Sequence, residues 1–207
     1  MAYRRVMVGD QEVKIPDFNL KALPLLGLIL GGWLLTGVFM VNPDEVGVIR
    51  TFGKYTRIVE PGLNYHFPYP IQTVNSPAVT EIKRIEIGFR TLRNGQYRTI
   101  EKESMMLTGD ENIVDAEMIV QYKIKDPVAY LFDIVEPELT VREAAEASLR
   151  TVVGRNKIDE TLTTGKSLIQ EDTKIQLQAV LDKYNSGIHI VAVQLQDVSP
   201  PKPVIAA

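Results

Sequence analysis

The chain has 207 residues, with 23 Lys and Arg against 26 Asp and Glu, a formal net charge of −3 and no cysteine. That length holds one or two domains with a sizeable core. The missing cysteines exclude disulfide scaffolds, thiolate zinc sites, iron–sulfur clusters and cysteine nucleophiles, and the mild acidity gives no sign of a nucleic-acid partner, which a strong basic patch would announce.

In chain order, residues 1–21 form a short polar tail, too short for a domain and read as flexible. Residues 22–41 then carry no charge at all. At 1.5 Å rise per residue, a helix of that length spans about 30 Å, the thickness of a hydrocarbon core. The spacing predicts a transmembrane helix over 22–41. The apolar run is too long for a signal-peptide core, and no small-residue cleavage pattern precedes Asn42. Gly27 and Gly31 make a G-x-x-x-G pair, read either as a helix-packing face or as simple tolerance of glycine in lipid. Arg4, Arg5, Lys14 and Lys21 before the span favour a cytoplasmic N-terminus, with the larger part outside the cytoplasm.

Beyond the span the first half is strand-rich. Strand patterns run over 46–55 with a break at Gly53, then over 63–67 after the Pro61-Gly62 turn, and over 78–89 with a bulge expected near Lys83-Arg84. Tyr65-His66-Phe67-Pro68-Tyr69-Pro70 is too rich in proline for a central strand and reads as a loop or edge. Asn94-Gly95 marks a tight turn. Residues 114–124 alternate apolar and polar with period two, the pattern of a half-buried antiparallel strand, and the 107–111 turn leads into it.

The second half is helical. Asp126-Pro127 reads as an N-cap and first helical residue. Val141, Ala144, Ala145, Ser148, Leu149, Val152 and Val153 make one apolar stripe of a helix from about 138, closed near Gly154. Residues 158–162 suit one more turn. A further helix covers 166–184, with Ile169, Leu177, Val180, Leu181 and Tyr184 on one face, and a buried strand follows over 188–195.

No catalytic set stands out. Thr164-Gly165-Lys166-Ser167 resembles the end of a phosphate-binding loop, but the first glycine position is Glu160, so a plain helix start is the better reading. Ser104 and Ser148 are the serines a membrane-tethered hydrolase would use, and no G-x-S-x-G elbow supports either. His66 sits among aromatics and prolines, and His189 in a strand. Glu101, Glu103, Asp110, Glu111, Asp115 and Glu117 lack the spacing of a calcium loop. No cofactor, metal site or enzymatic activity is expected.

Five segments taken together resemble the stomatin/prohibitin/flotillin/HflK-C (SPFH) family. They are NPDEVGVIRTFGKY at 42–55, EPGLNYHFPYPI at 60–71, LTGDENIV at 107–114 leading to VQYKIKDP at 120–127, REAAEASLRTVVG at 142–154, and VQLQDVSPP at 193–201. Pro-Tyr-Pro-Ile and Leu-Thr-Gly-Asp-Glu-Asn look most like the bacterial HflK branch. The resemblance implies an α+β SPFH (band-7, prohibitin-like) domain over 42–201, periplasmic and single-pass on a bacterial inner membrane. It implies a scaffold that assembles with an HflC-like partner, as a hetero- or homo-oligomer, into a ring or cage restraining an FtsH-like membrane protease. A lipid-binding microdomain organiser is the alternative. Such proteins continue past Pro200-Pro201 with a long helical region, so residues 202–207 are expected to begin one. Within this reading, Tyr65, Phe67, Pro68, Tyr69 and Pro70 either form a loop against the lipid bilayer or fill the small β core. Arg142, Glu146 and Arg150 either contact a neighbouring subunit or form a solvated face.

Overall fold

The computed structural model describes residues 3–8, 11–16, 23–158 and 165–200. The tail, read as flexible, forms an antiparallel hairpin of β1 (Tyr3–Val8) and β2 (Gln11–Pro16), in register from Tyr3 opposite Pro16 to Val8 opposite Gln11. Residues 202–207 lie outside the described residues.

The apolar run departs from the expected helix over 22–41. Helix α1 (Leu23–Leu35) has 13 residues, about 20 Å at the standard rise. Among the described residues no helix is long and apolar enough to cross a membrane. The helix closes where Thr36 and Gly37 donate to the Trp33 and Leu34 carbonyls, each at 3.1 Å. Gly37 then packs so closely on the His66 carbonyl that a Cβ has no room. The β-prone Val38, Phe39 and Val41 continue as strand β3 (Val38–Val41). Apolar periodicity alone does not separate a buried helix from a strand, which is why the boundary is invisible in sequence.

Strand β3 pairs with β6 (Gly62–Tyr65), Val38 opposite Tyr65 and Met40 opposite Leu63. Beside this ribbon, β4 (Gly47–Thr51) lies between β5 (Lys54–Val59) and β7 (Gln72–Asn75). The expected break at Gly53 is the hairpin turn itself. Phe52 and Gly53 both have positive φ, 48° and 84°, as a two-residue type I′ turn requires. Polar and short, β7 leaves no periodic signal.

The main sheet is built on β12 (Ile113–Ile124). β13 (Ile188–Ser199) runs along one edge; β8 (Lys83–Ile87) and β11 (Met105–Leu107) share the other. The expected alternation holds: Val114, Ala116, Met118, Val120, Tyr122 and Ile124 are all buried. The bulge near Lys83-Arg84 is absent, because β8 begins at Lys83 and pairs without a shift, leaving Ile82 outside it and exposed. The irregularity sits at Gly88 instead, before the β9 (Phe89–Thr91) and β10 (Tyr97–Thr99) hairpin, which turns at Asn94-Gly95 as expected. Two register shifts along β12 and β13 keep Ile188, Ile190, Val193 and Leu195 in the core although their spacing is not two throughout.

Helix α2 (Glu101–Ser104) joins β10 to β11. Asp126 caps α3 (Pro127–Phe132), accepting from the Val128 and Ala129 amides at 2.9 and 3.2 Å. Helix α4 (Pro137–Val153) buries all seven expected stripe residues. Helix α5 (Lys166–Lys183) buries Ile169, Leu177 and Leu181, with Thr173 completing the face. Tyr184, expected on that face, lies past the helix end and is exposed, because Asn185 turns the chain with φ 51°. Both helices cover one face of the sheet. Of the turn expected over 158–162, all but Ile158 lies outside the described residues. The β4 sheet meets α3 through Phe132, whose ring lies 5.9 Å from the Arg50 guanidinium and 6.4 Å from the Tyr55 ring.

Candidate interaction site

The first surface is at the end of α1. The Trp33 indole N–H donates to the Tyr69 carbonyl at 3.0 Å, and the His66 amide to the Gly37 carbonyl at 2.9 Å. These bonds fasten the proline-aromatic loop to the helix. The Gln72 side chain accepts from the Phe67 amide at 2.9 Å, and Arg57 donates to the Tyr65 carbonyl at 2.9 Å. Pro68 is buried, whereas Tyr65, Phe67, Tyr69 and Pro70 are exposed. The loop therefore turns one of the five expected residues inward and four outward. His66 stacks edge-on against Phe39, ring centroids 5.1 Å apart, and its Nδ1 lies 2.6 Å from the Phe67 carbonyl.

Sequence reasoning missed the neighbours of this loop. Val38 and Met40 of β3 face Tyr65 and Leu63 of β6, and side chains two apart share a face of a strand. All four are exposed, Met40 by 75% and Leu63 by 78%. Val38, Phe39, Met40 and Val41 are all apolar, so the sequence carries no alternation that could have revealed which of them face outward. An apolar ribbon face thus continues directly from the exposed leucines of α1.

The second surface lies along α4. Arg142, Glu146 and Arg150 do not act as one patch. Arg150 is spent within the chain, donating to Glu146 at 2.7 Å and to the Lys102 carbonyl at 3.4 Å. Arg142 instead opens onto a cleft of about 300 Å³ lined also by Arg84, Ile85, Glu86, Arg90 and Thr91. Arg90 grips Glu103 with two bonds of 2.9 and 2.6 Å, and Arg84 holds Glu86 at 3.0 Å. Burial opposes ionisation of Glu86. Hydrogen bonds from the Thr91 side chain and amide, together with the charges of Arg84 and Arg90, outweigh it and hold the carboxyl below its ordinary value. Arg142 has no ion-pair partner among the described residues. Glu86 and Arg90 are not singled out by sequence, and Glu103 only as part of an acidic group; their spacing matches no motif, and the packing of β8, β9, α2 and α4 brings them together.

The candidates for chemistry are dispersed. Ser104 is fully buried and donates to Asp115 at 3.1 Å, and Ser148 is buried in the α4 face with no partner for its hydroxyl among the described residues. Lys166 opens α5 and donates to the Gln196 carbonyl at 3.3 Å, and residues 159–164 of the loop before it lie outside the described residues. His189 is exposed on β13 opposite Lys123. The acidic residues separate: Glu103 binds Arg90, Asp115 binds Ser104, and Glu117 accepts from Thr99 at 3.0 Å. Among the described residues no three His, Asp or Glu side chains are grouped to hold a metal ion.

A turn of defined geometry explains the Leu-Thr-Gly-Asp-Glu-Asn segment. Buried Thr108 donates to Asp110 at 2.6 Å and accepts from the Asn112 amide at 3.1 Å. Asp110 also accepts from the Ile158 amide at 3.1 Å, and these bonds, led by the one from Thr108, hold its carboxyl below the ordinary value. Gly109 lies against the end of α4, where a Cβ would stand 3.2 Å from the Gly154 carbonyl.

Comparison with known families decides what this arrangement is. The SPFH domain / Band 7 family model matches residues 39–207, from within β3 onward. The chain belongs to that family. SPFH relatives include Protein HflK of Treponema pallidum, 36% identical over 87% of this chain and 56% of its own length. The Modulator of FtsH protease HflK of Escherichia coli K12 is 34% identical over 84% of this chain and 38% of its own length. Protein HflK of Haemophilus influenzae is 33% identical over 95% and 44% respectively. The chain therefore spans about two-fifths to just over half of the length of these SPFH relatives.

Proposed function

We propose that the chain is the membrane-anchored part of an HflK-like scaffold that modulates a membrane protease of the FtsH type. The observation that carries this reading is the similarity to HflK proteins over most of the chain, one of which is named a modulator of FtsH protease. The dispersal of the serines, histidines and acidic residues supports a part that binds rather than reacts. In this reading α1 is held by the bilayer, with the tail cytoplasmic and the SPFH domain on the periplasmic face of a bacterial inner membrane. The Val38–Leu63–Tyr65 ribbon and the exposed side of the 65–70 loop lie at the lipid interface, where aromatic rings with one polar edge are favoured. Copies then assemble side by side with an HflC-like partner into a ring or cage that restrains access of membrane substrates to the protease. The exposed apolar ribbon also favours a second reading, a lipid-organising scaffold without a protease client.

The deciding experiment places the chain, an HflC-like SPFH protein and an FtsH-type protease in liposomes with a membrane-embedded substrate. Slower degradation of that substrate, with unchanged hydrolysis of a soluble one, is the expected result. Equal degradation of both overturns the protease role and leaves the lipid-organising one.

A further inference from the structure

We infer, resting on the bilayer reading above, that the pocket between β5, β6 and the 65–70 loop binds the phosphodiester of an anionic phospholipid. Arg57 holds the phosphate, and the Tyr65–Leu63 face of the ribbon carries the acyl chains.

The pocket has a volume of about 160 Å³ and is lined by Thr56, Arg57, Tyr65, His66, Phe67 and Gln72. Arg57 brings a positive charge, and no carboxylate lines the pocket to balance it. One of its terminal nitrogens donates to the Tyr65 carbonyl at 2.9 Å, and Arg57 has no ion-pair partner among the described residues. Most of the guanidinium's N–H donors therefore remain for an anion, and phosphate oxygens match their fork. Gln72 adds a donor. Its Oε1 accepts from the Phe67 amide and its Nε2 gives one hydrogen to the Thr51 hydroxyl at 2.9 Å, which leaves the second amide hydrogen unused within the described residues. Thr56 is engaged with Thr51 at 2.8 Å, and His66 is spent on packing against Phe39 and on the Phe67 carbonyl.

Tyr65 joins the pocket to the ribbon. It lines the pocket and shares the exposed face of β6 with Leu63, opposite Val38 and Met40 of β3. The Phe67 ring stands edge-on to Tyr65 at 6.2 Å and is also exposed. A free phosphate would fill the pocket and leave this apolar face in water. A phospholipid covers both, because its charge and its hydrocarbon are joined in one molecule. The pocket is too small for acyl chains, which must lie outside it, along Tyr65 and Leu63.

Depth points to the same ligand. The His66 amide bonds the Gly37 carbonyl and the Trp33 indole bonds the Tyr69 carbonyl, so the 65–70 loop is tied to the close of α1. Arg57 reaches that loop through the Tyr65 carbonyl. The cation therefore stands where the apolar helix stops. A charge beside acyl chains is costly unless it is paired, and a lipid phosphate is the anion present at that level of a bilayer.

Trp33, the chain's only tryptophan, is bonded to this loop and reports the lipid beside it. The full chain is placed in phosphatidylcholine bilayers that contain the same small fraction of either acyl-brominated phosphatidylglycerol or acyl-brominated phosphatidylcholine. The brominated phosphatidylglycerol is expected to quench Trp33 as though enriched about fivefold, the effect of one cation facing an anionic lipid. Arg57→Gln, which can still donate to the Tyr65 carbonyl, is expected to abolish the enrichment while both lipids still quench. Lys54→Gln removes an equal charge from the same strand outside the pocket and is expected to keep the enrichment. An equal loss in Lys54→Gln would mean a diffuse attraction and overturn the pocket. Equal quenching by the two lipids in the parent overturns the pocket and leaves α1 in the bilayer; no quenching by either overturns the bilayer reading and the pocket with it. Glycerol 1-phosphate added to the buffer is expected to leave the enrichment unchanged. If it abolishes the enrichment, the pocket takes soluble phosphates and the lipid assignment fails.

Discussion

The Trp33 indole N–H donates to the Tyr69 carbonyl across 3.0 Å, joining the last turn of the apolar helix to a loop 36 residues later in the chain. Where water is excluded from the helix end, as in the bilayer reading, loss of that acceptor would leave the indole donor unsatisfied, at a cost of about 1–3 kcal/mol. The bond fixes the loop at the helix end, and whatever medium surrounds the helix end also meets Tyr69.

Trp33 is the chain's only tryptophan, so its fluorescence reports that medium directly. In reconstituted bilayers its emission is expected to be blue-shifted, quenched by brominated lipids and shielded from aqueous acrylamide. With Trp33→Phe as background, Tyr69→Trp should be quenched by the same lipids. Full acrylamide quenching of both probes would place this end of α1 in water and end the membrane-anchor reading.

The two interaction surfaces differ in how far sequence reveals them. The α4 stripe and the β12 alternation are legible because burial on one side of a regular element imposes a period on the chain. Val38–Val41 is not, because a strand at the end of an apolar helix shares its composition and only the partner β6 distinguishes it. β13 is legible as a buried strand over 188–195 even though two register shifts break its alternation, whereas β7 is held by β4 rather than by its own residues. Arg142 was singled out from its helix face, but its cleft partners Arg84 and Arg90 come from a strand and hairpin far away in sequence. Ion pairs between distant elements leave no local signal.

Gly88 and Gly95 separate steric from conformational cost. Both have positive φ, 82° and 78°. A Cβ on Gly88 would stand 2.8 Å from the Ala116 carbonyl, whereas one on Gly95 meets nothing within 4 Å. Gly95→Ala should therefore lose only the price of a left-handed alanine, about 1 kcal/mol. Gly88→Ala should lose about 2 kcal/mol or more, because β12 must also give way. Urea unfolding of both variants checks this; equal losses would mean that the β8–β12 junction yields freely.

Glu86 makes part of the domain's stability depend on pH. Its carboxyl is held below its ordinary value in the folded chain, and Arg84, Arg90 and Arg142 face it across the cleft with Thr91. A lowered folded value means that its stabilisation is fully present above the unfolded carboxylate range, about pH 4.3, and is lost as pH falls through the folded value. Glu86→Gln should therefore be less stable than the parent at neutral pH. The gap should hold down to about pH 5 and close below pH 4. Urea midpoints of the two proteins across that range are the measurement, and a gap independent of pH would show that the carboxylate charge contributes nothing.

Gln178 does the work of a missing strand. Its Oε1 accepts from the Ile190 amide at 2.8 Å, and its Nε2 donates to the Ile188 carbonyl at 3.1 Å and to Asp182 at 2.8 Å. Among the described residues β13 pairs only with β12, so its outer edge would otherwise present open backbone groups that invite pairing with another chain. Gln170 repeats the cover at Leu195. Removing the Gln178 carboxamide strands a buried donor and acceptor at Ile190 and Ile188. Gln178→Ala should therefore cost about 1–3 kcal/mol and lower the temperature at which light scattering rises on heating. Gln178→Glu keeps the acceptor for Ile190 but loses the donor for Ile188, so it should fall between the parent and Gln178→Ala in both measurements. If Gln178→Ala unfolds and scatters like the parent, water replaces the carboxamide and the edge needs no cover at this position.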